Sequence, residues 1–408
     1  MSPITPFTIS IPDEKLARLQ QKLRLTDFPD ECTDIENREH GSRLSDVKRL
    51  THHWATAYDW RAAEANLNQF PQYTTKVEVA GFGTQEVHFI YQPSAVKNAI
   101  PLLFLHGWPG SFIEVTRVLP ELVRGGENHP AFHVVAPSLV DFGFSSASKS
   151  KAFGIQQQAE AVHQVMLALG YDEYVIQAGD IGSVVSRLLV HTYLTHVKAH
   201  HANGTWPAQP TPESHPELHA RMLETQLSPG ELAGLARSEW FWKEGSGYFK
   251  KQATKPQTVG YFMADSPVGL LAWMLEVFRD WVDEYEWTDD EILTWISIYY
   301  FSRAGPAASS YVYYAMEHAE ISPTTVSQRY SEVPLGVSRF PRDTLLFPKL
   351  WNHTLGPIVF EKEHTKGGHF AAWENPQAII DDLRAMFGRG GGAYGVVAGK
   401  SGYDAASQ

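Results

Sequence analysis

The chain has 408 residues, with 34 basic and 46 acidic side chains and a formal net charge of −12. Hydrophobic residues make up 43% and charged residues 20% of it, ordinary globular usage that excludes disorder over the bulk of the chain. The acidic balance argues against a nucleic acid or an anionic membrane as the main partner, and a single cysteine, Cys32, excludes an intrachain disulfide or a cysteine-built zinc site.

No apolar run is long enough to cross a bilayer; the longest, Val268 to Leu275, stops at Glu276. Met1 to Ile11 lacks the pattern of a secretion signal, and Ala406-Ser407-Gln408 matches no retention or peroxisomal tripeptide. A soluble cytoplasmic protein without a membrane anchor is expected.

The first 74 residues read as a helical meander packed on the core. Leu16, Leu19 and Leu23 share one helical face, and Leu44, Val47 and Leu50 share another; residues 26–43 between them are polar and irregular. The period then changes to two. Val77 and Val79, then Val87, Phe89 and Tyr91, alternate as strands around Gly81-Phe82-Gly83. Buried strands at Leu102 to Leu105, Phe132 to Ala136 and Tyr174 to Gln177 alternate with helices at Phe112 to Val123, Ile155 to Leu169 and Ile181 to Thr195. This alternation over residues 75–205 predicts a mostly parallel sheet flanked by helices. Residues 206–325 are rich in Trp, Tyr and Leu and read as a helical insertion. Strands return at Val333 to Val337 and Pro357 to Phe360, and a last helix at Pro376 to Phe387 completes the core over residues 326–388. Residues 389–408, with Gly390-Gly391-Gly392 and few large apolar side chains, are expected to be a flexible tail.

Four short segments carry the chemistry. Ala178-Gly179-Asp180-Ile181-Gly182 follows a strand and opens a helix, the context of a nucleophile elbow, with Asp in the nucleophile position. Alone, Asp180 reads equally well as a helix cap. His106-Gly107-Trp108-Pro109-Gly110 follows the strand at Leu102 and could bring a backbone amide to the elbow. His369, in Gly367-Gly368-His369-Phe370, lies after the last strand, where a general base belongs; His364 and His353 are less well placed. Asp343, past the strand at Val337, can orient His369, with Glu374 a weaker rival. Their order along the chain describes an α/β-hydrolase fold with an aspartate nucleophile.

An aspartate nucleophile selects the reaction. A serine attacking saturated carbon would leave a dead-end ether, whereas a carboxylate leaves an alkyl ester that water can open at its carbonyl. Asp180 therefore implies displacement at the carbon of an epoxide or an alkyl halide. The insertion carries Gly247-Tyr248-Phe249 and Ser309-Ser310-Tyr311-Val312-Tyr313-Tyr314, and tyrosine suits a departing alkoxide better than a halide.

The sequence resembles the microsomal-type epoxide hydrolase family in its soluble fungal form, from about Phe7 to Phe387. The resemblance rests on Phe7-Thr8-Ile9-Ser10-Ile11-Pro12, His106 to Ser111, Gly179 to Ser183, Gly247-Tyr248 with Gln252 to Thr258, and Gly367 to Ala372. It departs from the family pattern at Val140-Asp141-Phe142, where Pro-Gly-Tyr is usual after Pro137-Ser138-Leu139. The resemblance implies a small-molecule epoxide substrate, no metal, no organic cofactor, and a detoxifying or biosynthetic role; a homodimer stays open. It implies Asp180 as nucleophile, His369 as base with Asp343 behind it, and Tyr248 as one acid. Alignment favours Tyr314 as the second acid, with Tyr313 and Tyr311 as rivals. Backbone amides of Trp108 and Ile181 would form the oxyanion hole. An epoxide-opening cyclase, a haloalkane dehalogenase and a non-catalytic binding protein of the same fold are the alternatives.

Overall fold

The structure is a computed structural model that describes residues 2–32 and 39–404. Among the described residues, nine strands form one sheet: β1 (Thr5–Phe7), β2 (Gln72–Val79), β3 (Gly83–Gln92), β4 (Ile100–Leu105), β5 (Phe132–Pro137), β6 (Tyr174–Gly179), β7 (Val197–Asn203), β8 (Leu335–Arg339) and β9 (Ile358–Glu363). Their spatial order is β1-β2-β3-β5-β4-β6-β7-β8-β9. Pairings up to β3–β5 are antiparallel; all those from β5 to β9 are parallel. β4 is buried along its whole length, as a strand covered on both faces must be, and its run Ile-Pro-Leu-Leu-Phe-Leu has no polar alternation.

Among the described residues, sixteen α-helices surround the sheet. The meander holds α1 (Asp13–Arg24), α2 (Leu44–Thr56) and α3 (Trp60–Leu67), and the core's first part holds α4 (Leu119–Val123), α5 (Ile155–Ala168) and α6 (Asp180–Thr192). Between β7 and β8 lie α7 (Pro216–Glu224), α8 (Pro229–Trp240), α9 (Gly247–Thr254), α10 (Pro256–Asp265), α11 (Pro267–Asp280), α12 (Asp289–Tyr300), α13 (Tyr311–Glu317) and α14 (Pro323–Ser327), the helical lid. α15 (Ala371–Glu374) and α16 (Pro376–Phe387) follow β9. No helix among the described residues is long and apolar enough to cross a membrane.

Part of the meander packs on the lid instead of the sheet. β1 joins the sheet edge, but Trp54 of α2 meets Tyr300 edge-on, Trp60 of α3 meets Phe301, and Lys22 of α1 pairs with Asp265 at 2.6 Å. The middle of the polar segment, residues 33–38, lies outside the described residues.

Two features differ from the sequence reading. β7 (Val-Lys-Ala-His-His-Ala-Asn) carries no strand signal by hydrophobicity, yet it lies between β6 and β8 with His200 and His201 fully buried. Both imidazoles find partners from other elements: His200 meets Ser186 at 3.1 Å, while His201 meets Gln177 at 2.5 Å and Ser338 at 2.9 Å. Burial holds both below the usual imidazole range, so they sit in the sheet as neutral polar groups.

The expected flexible tail is folded over residues 389–404; residues 405–408 lie outside the described residues. Ala393, Val397 and Tyr403 are buried, and Gly402 exchanges backbone hydrogen bonds with Asn98 and Ala131. The glycines serve packing: a Cβ on Gly391 would lie 2.2 Å from the Ala385 carbonyl oxygen and one on Gly392 2.4 Å from that of Val359. Removing residues 389–408 should therefore forfeit about 3–5 kcal/mol of burial and lower the melting temperature by several degrees in calorimetry. An unchanged transition would restore the flexible tail.

Candidate active site

β6 delivers the chain to Asp180 as an apolar strand, and α6 starts there. Asp180 has φ +50°, in the left-handed region, where an aspartate is tolerated better than most residues at a cost of about 1–3 kcal/mol. Gly182 lets the turn approach β4: a Cβ there would lie 2.8 Å from the carbonyl oxygens of Leu105 and His106. The carboxylate does not cap α6. Its Oδ1 accepts the Trp108 amide hydrogen at 2.8 Å, and its Oδ2 lies 3.2 Å from His369 Nε2.

The loop after β4 is fixed by His106. Its Nδ1–H donates to the Gly107 carbonyl at 3.0 Å, and Nε2 accepts from the Leu139 amide at 3.2 Å. Burial lowers this imidazole to about 4, so it stays neutral and both bonds persist at pH 7. The loop crosses closely over the elbow. A Cβ on Gly107 would fall 2.0 Å from Asp180 Oδ1 and 2.6 Å from the Ile181 nitrogen, so only glycine fits. The Trp108 and Ile181 amides thus both lie beside the nucleophile position.

β8 and β9 bring the other two groups together. Past the strand ends, Arg342 bridges Gly368 in parallel fashion, which sets Asp343 beside His369. His369 Nδ1 donates to Asp343 Oδ1 at 2.6 Å, and the His369 amide donates to the Trp281 carbonyl at 2.8 Å. Glu374 is not a rival for this place. Its oxygens accept from the amides of Asp283 and Phe370, at 3.0 and 3.2 Å. His364 pairs with Asp382 at 2.6 Å, and His353 lies in the 3₁₀ turn Lys349–Thr354.

The lid supplies aromatic groups. Tyr248, at the start of α9, stacks on Trp108 with ring centroids 4.8 Å apart, and Tyr313 of α13 meets Trp108 and Tyr248 edge-on at 6.1 and 6.0 Å. The two side chains are buried side by side, and their phenols influence each other. Burial, reinforced by the Asp180 charge, raises both phenols well above their ordinary value, so they remain protonated donors. Tyr314, the choice that alignment favours, stands apart from this pair. Its ring stacks on His318 at 3.8 Å, half-buried on another side of α13. One residue along a helix turns a side chain by about 100°, so only one of the two neighbours can face Trp108. Tyr311 donates to Gln257 at 2.6 Å.

Three further side chains belong to the site and were not singled out in the sequence. Trp281, just past α11, meets the rings of His369 and Tyr248 at 4.7 and 5.2 Å. Tyr299 of α12 donates to the Gly110 carbonyl at 2.7 Å and ties the lid to the loop. Glu114, in the 3₁₀ turn Phe112–Arg117, lines a cavity of about 10 Å³ with Asp180 and His369. In the sequence Ser111-Phe112-Ile113-Glu114 reads as a helix-capping pattern, which conceals it. The unusual Val140-Asp141-Phe142 stretch places Phe142 between His106 and Tyr299, and Ser148 holds the Asp141 carboxylate.

Comparison with known proteins identifies the family and the fold. Residues 4–115 match the epoxide hydrolase N-terminal family, and residues 100–239 match the alpha/beta hydrolase fold. A relative from Stigmatella aurantiaca is 38% identical over 94% of this chain and 84% of its own length. Epoxide hydrolase 1 of Sus scrofa is 31% identical over 94% of this chain and 88% of its own. The chain belongs to the epoxide hydrolase family. Among solved structures, the Aspergillus niger epoxide hydrolase superposes with a TM-score of 0.79 at 34% identity, over 93% of this chain and 95% of that one. The juvenile hormone epoxide hydrolase of Bombyx mori gives 0.84 at 25% identity, over 94% and 93%.

In this epoxide hydrolase the imidazole is poised as a cation. Burial opposes charge on His369, but the Asp343 and Asp180 carboxylates and their hydrogen bonds outweigh it and push the group up to about 10. Folding therefore takes up a proton there between the ordinary 6.5 and about 10. The stability so supplied is complete below about 6.5 and is lost as pH rises through about 10. Asp180→Asn removes one of the two charges. NMR titration should then show His369 deprotonating at lower pH than in the parent. An unchanged titration would contradict the coupling.

Proposed function

We propose that this chain converts an epoxide to a vicinal diol through an ester on Asp180. The observation that carries the reading is the unequal setting of the two Asp180 oxygens. Oδ1 is held by the Trp108 amide, and Oδ2 faces His369 in a site walled by Tyr248 and Tyr313. An oxygen already in the amide cradle is the one suited to become the oxyanion later, so Oδ2 is the attacking oxygen.

In the first half, Oδ2 forms a bond to an oxirane carbon, the carbon–oxygen bond of the ring breaks, and Tyr248 or Tyr313 gives the ring oxygen a proton. The negative charge of Asp180 passes to a phenolate. His369 loses the charge that held its proton, so its affinity falls; that proton restores the phenol, and the imidazole becomes a base. In the second half, water adds to the Asp180 carbonyl carbon and gives a proton to His369. The Trp108 and Ile181 amides stabilise the oxyanion. The acyl carbon–oxygen bond then breaks, and the diol oxygen takes the proton. Asp343 keeps the ring aimed throughout. Hydroxyl donors above the site favour an oxygen leaving group over a halide, and the residue after the nucleophile, Ile181, offers no side-chain N–H.

His369→Gln tests the order of events. The variant should consume one equivalent of epoxide and hold it as a stable mass increase on the peptide bearing Asp180, with turnover lowered by about 10²-fold or more. Wild-type turnover, or a variant that never becomes labelled, would contradict the scheme.

The tyrosines are tested by removing hydroxyls. Tyr248→Phe and Tyr313→Phe should each slow ester formation about tenfold or more, and the double variant should nearly abolish it. Tyr314→Phe should stay within about twofold of the parent. A large loss at Tyr314 with none at Tyr313 would reverse the assignment.

A further inference from the structure

Resting on the ester mechanism above, we propose that Glu114 is the positioning residue for the water that opens the ester, holding it against His369 in the small cavity behind Asp180. That cavity, at about 10 Å³, has room for about one water molecule. Asp180, His369 and Glu114 line it together with Gln177 and Asn203, and the three titratable side chains alone can give a water two to four polar partners. Neither Tyr248 nor Tyr313 lines it. The oxirane must lie where the phenols reach its oxygen, so water and epoxide occupy different places beside one carboxyl group.

Glu114 reaches the cavity because Gly110 has no side chain. A Cβ on Gly110 would fall 1.9 Å from Glu114 Oε1, so the carboxyl occupies the space a residue at 110 would fill. One oxygen suffices to accept the Ser111 amide, as a helix cap does, and the carboxyl keeps accepting capacity for a second partner. Burial, with the Asp180 charge adding to it and His369 opposing, pushes this carboxyl up to about 8, so it is neutral at pH 7. A neutral group suits the task. Its carbonyl oxygen accepts one hydrogen of the water while His369 Nε2 accepts the other, leaving a lone pair for the Asp180 carbonyl carbon. A carboxylate there would repel the oxyanion that forms next to it. Glu114 itself neither gains nor loses a proton.

The test separates the two half-reactions, using rapid-quench mass spectrometry with styrene oxide. Glu114→Met keeps the length of the side chain and removes the hydrogen bond. Alkylation of Asp180 should stay within about threefold, while ester hydrolysis slows by about 10- to 100-fold and the alkyl-enzyme accumulates. Glu114→Gln, which can still accept, should recover most of the hydrolysis rate. Gly110→Ala should reproduce the Met phenotype without touching Glu114, because its methyl group pushes the carboxyl aside. It therefore also serves if the Met variant does not fold. Hydrolysis at the parent rate in either alkylated variant overturns the proposal, as does an equal slowing of both halves, the mark of a merely structural cap. If even the parent and His369→Gln never form an ester, the mechanism itself fails, and Glu114 with it.

Discussion

Two carboxylates, Asp180 and Asp343, face one imidazole in a largely buried space at the carboxyl end of a parallel sheet. Unscreened like charges at such range repel strongly, and a proton held on His369 between them is what makes the arrangement tolerable. That shared proton also links the two halves of the proposed reaction. Esterification cancels one carboxylate, and the imidazole loses half of the field that kept it charged. The acid of the resting site becomes the base of the second step without any movement of the backbone.

The same shortage of solvation fixes the charge state of every group around this trio. His106 is neutral and spends both ring nitrogens on the loop that carries the Trp108 amide. Tyr248 and Tyr313 keep their protons because a phenolate beside Asp180 would be a third buried anion. Glu114 is held neutral for the same reason. Proton donors, acceptors and amide dipoles are thus in place before substrate arrives, which is the condition under which electrostatic stabilisation needs little reorganisation.

Support for this arrangement comes from far along the chain. Tyr299 ties the lid to the loop at Gly110, and Ser302 and the Arg303 amide donate to the Gly143 carbonyl on the opposite wall. Trp54 and Trp60 brace the lid from its outer side through Tyr300 and Phe301. Below the nucleophile, Asn203, Gln177, His201, Ser338 and Asp382 form a continuous buried hydrogen-bonded chain across β6, β7, β8 and α16. Such a chain satisfies polar groups that would each cost energy alone, and it holds the strand ends in register.

Features set by short stretches of chain were legible in the sequence by itself. The strand-turn-helix at Asp180, the glycine loop after β4, the order of Asp180, Asp343 and His369, and the helical insertion all follow from local period, turn residues and chain order. An aspartate at the elbow also pointed to the kind of bond that the proposed reaction makes and breaks. Tertiary structure alone decided the rest, because each remaining question concerned neighbours distant in sequence. Tyr313 and not Tyr314 faces Trp108 because the packing of α13 against α9 sets the helix rotation, which the run Tyr-Val-Tyr-Tyr does not encode. β7 is a strand because Ser186, Gln177 and Ser338 satisfy its histidines, and the glycine-rich tail is ordered because its glycines lie flat on Ala385 and Val359. Glu114 was passed over in the sequence for the same reason: the charge and use of a carboxyl group depend on what surrounds it in space.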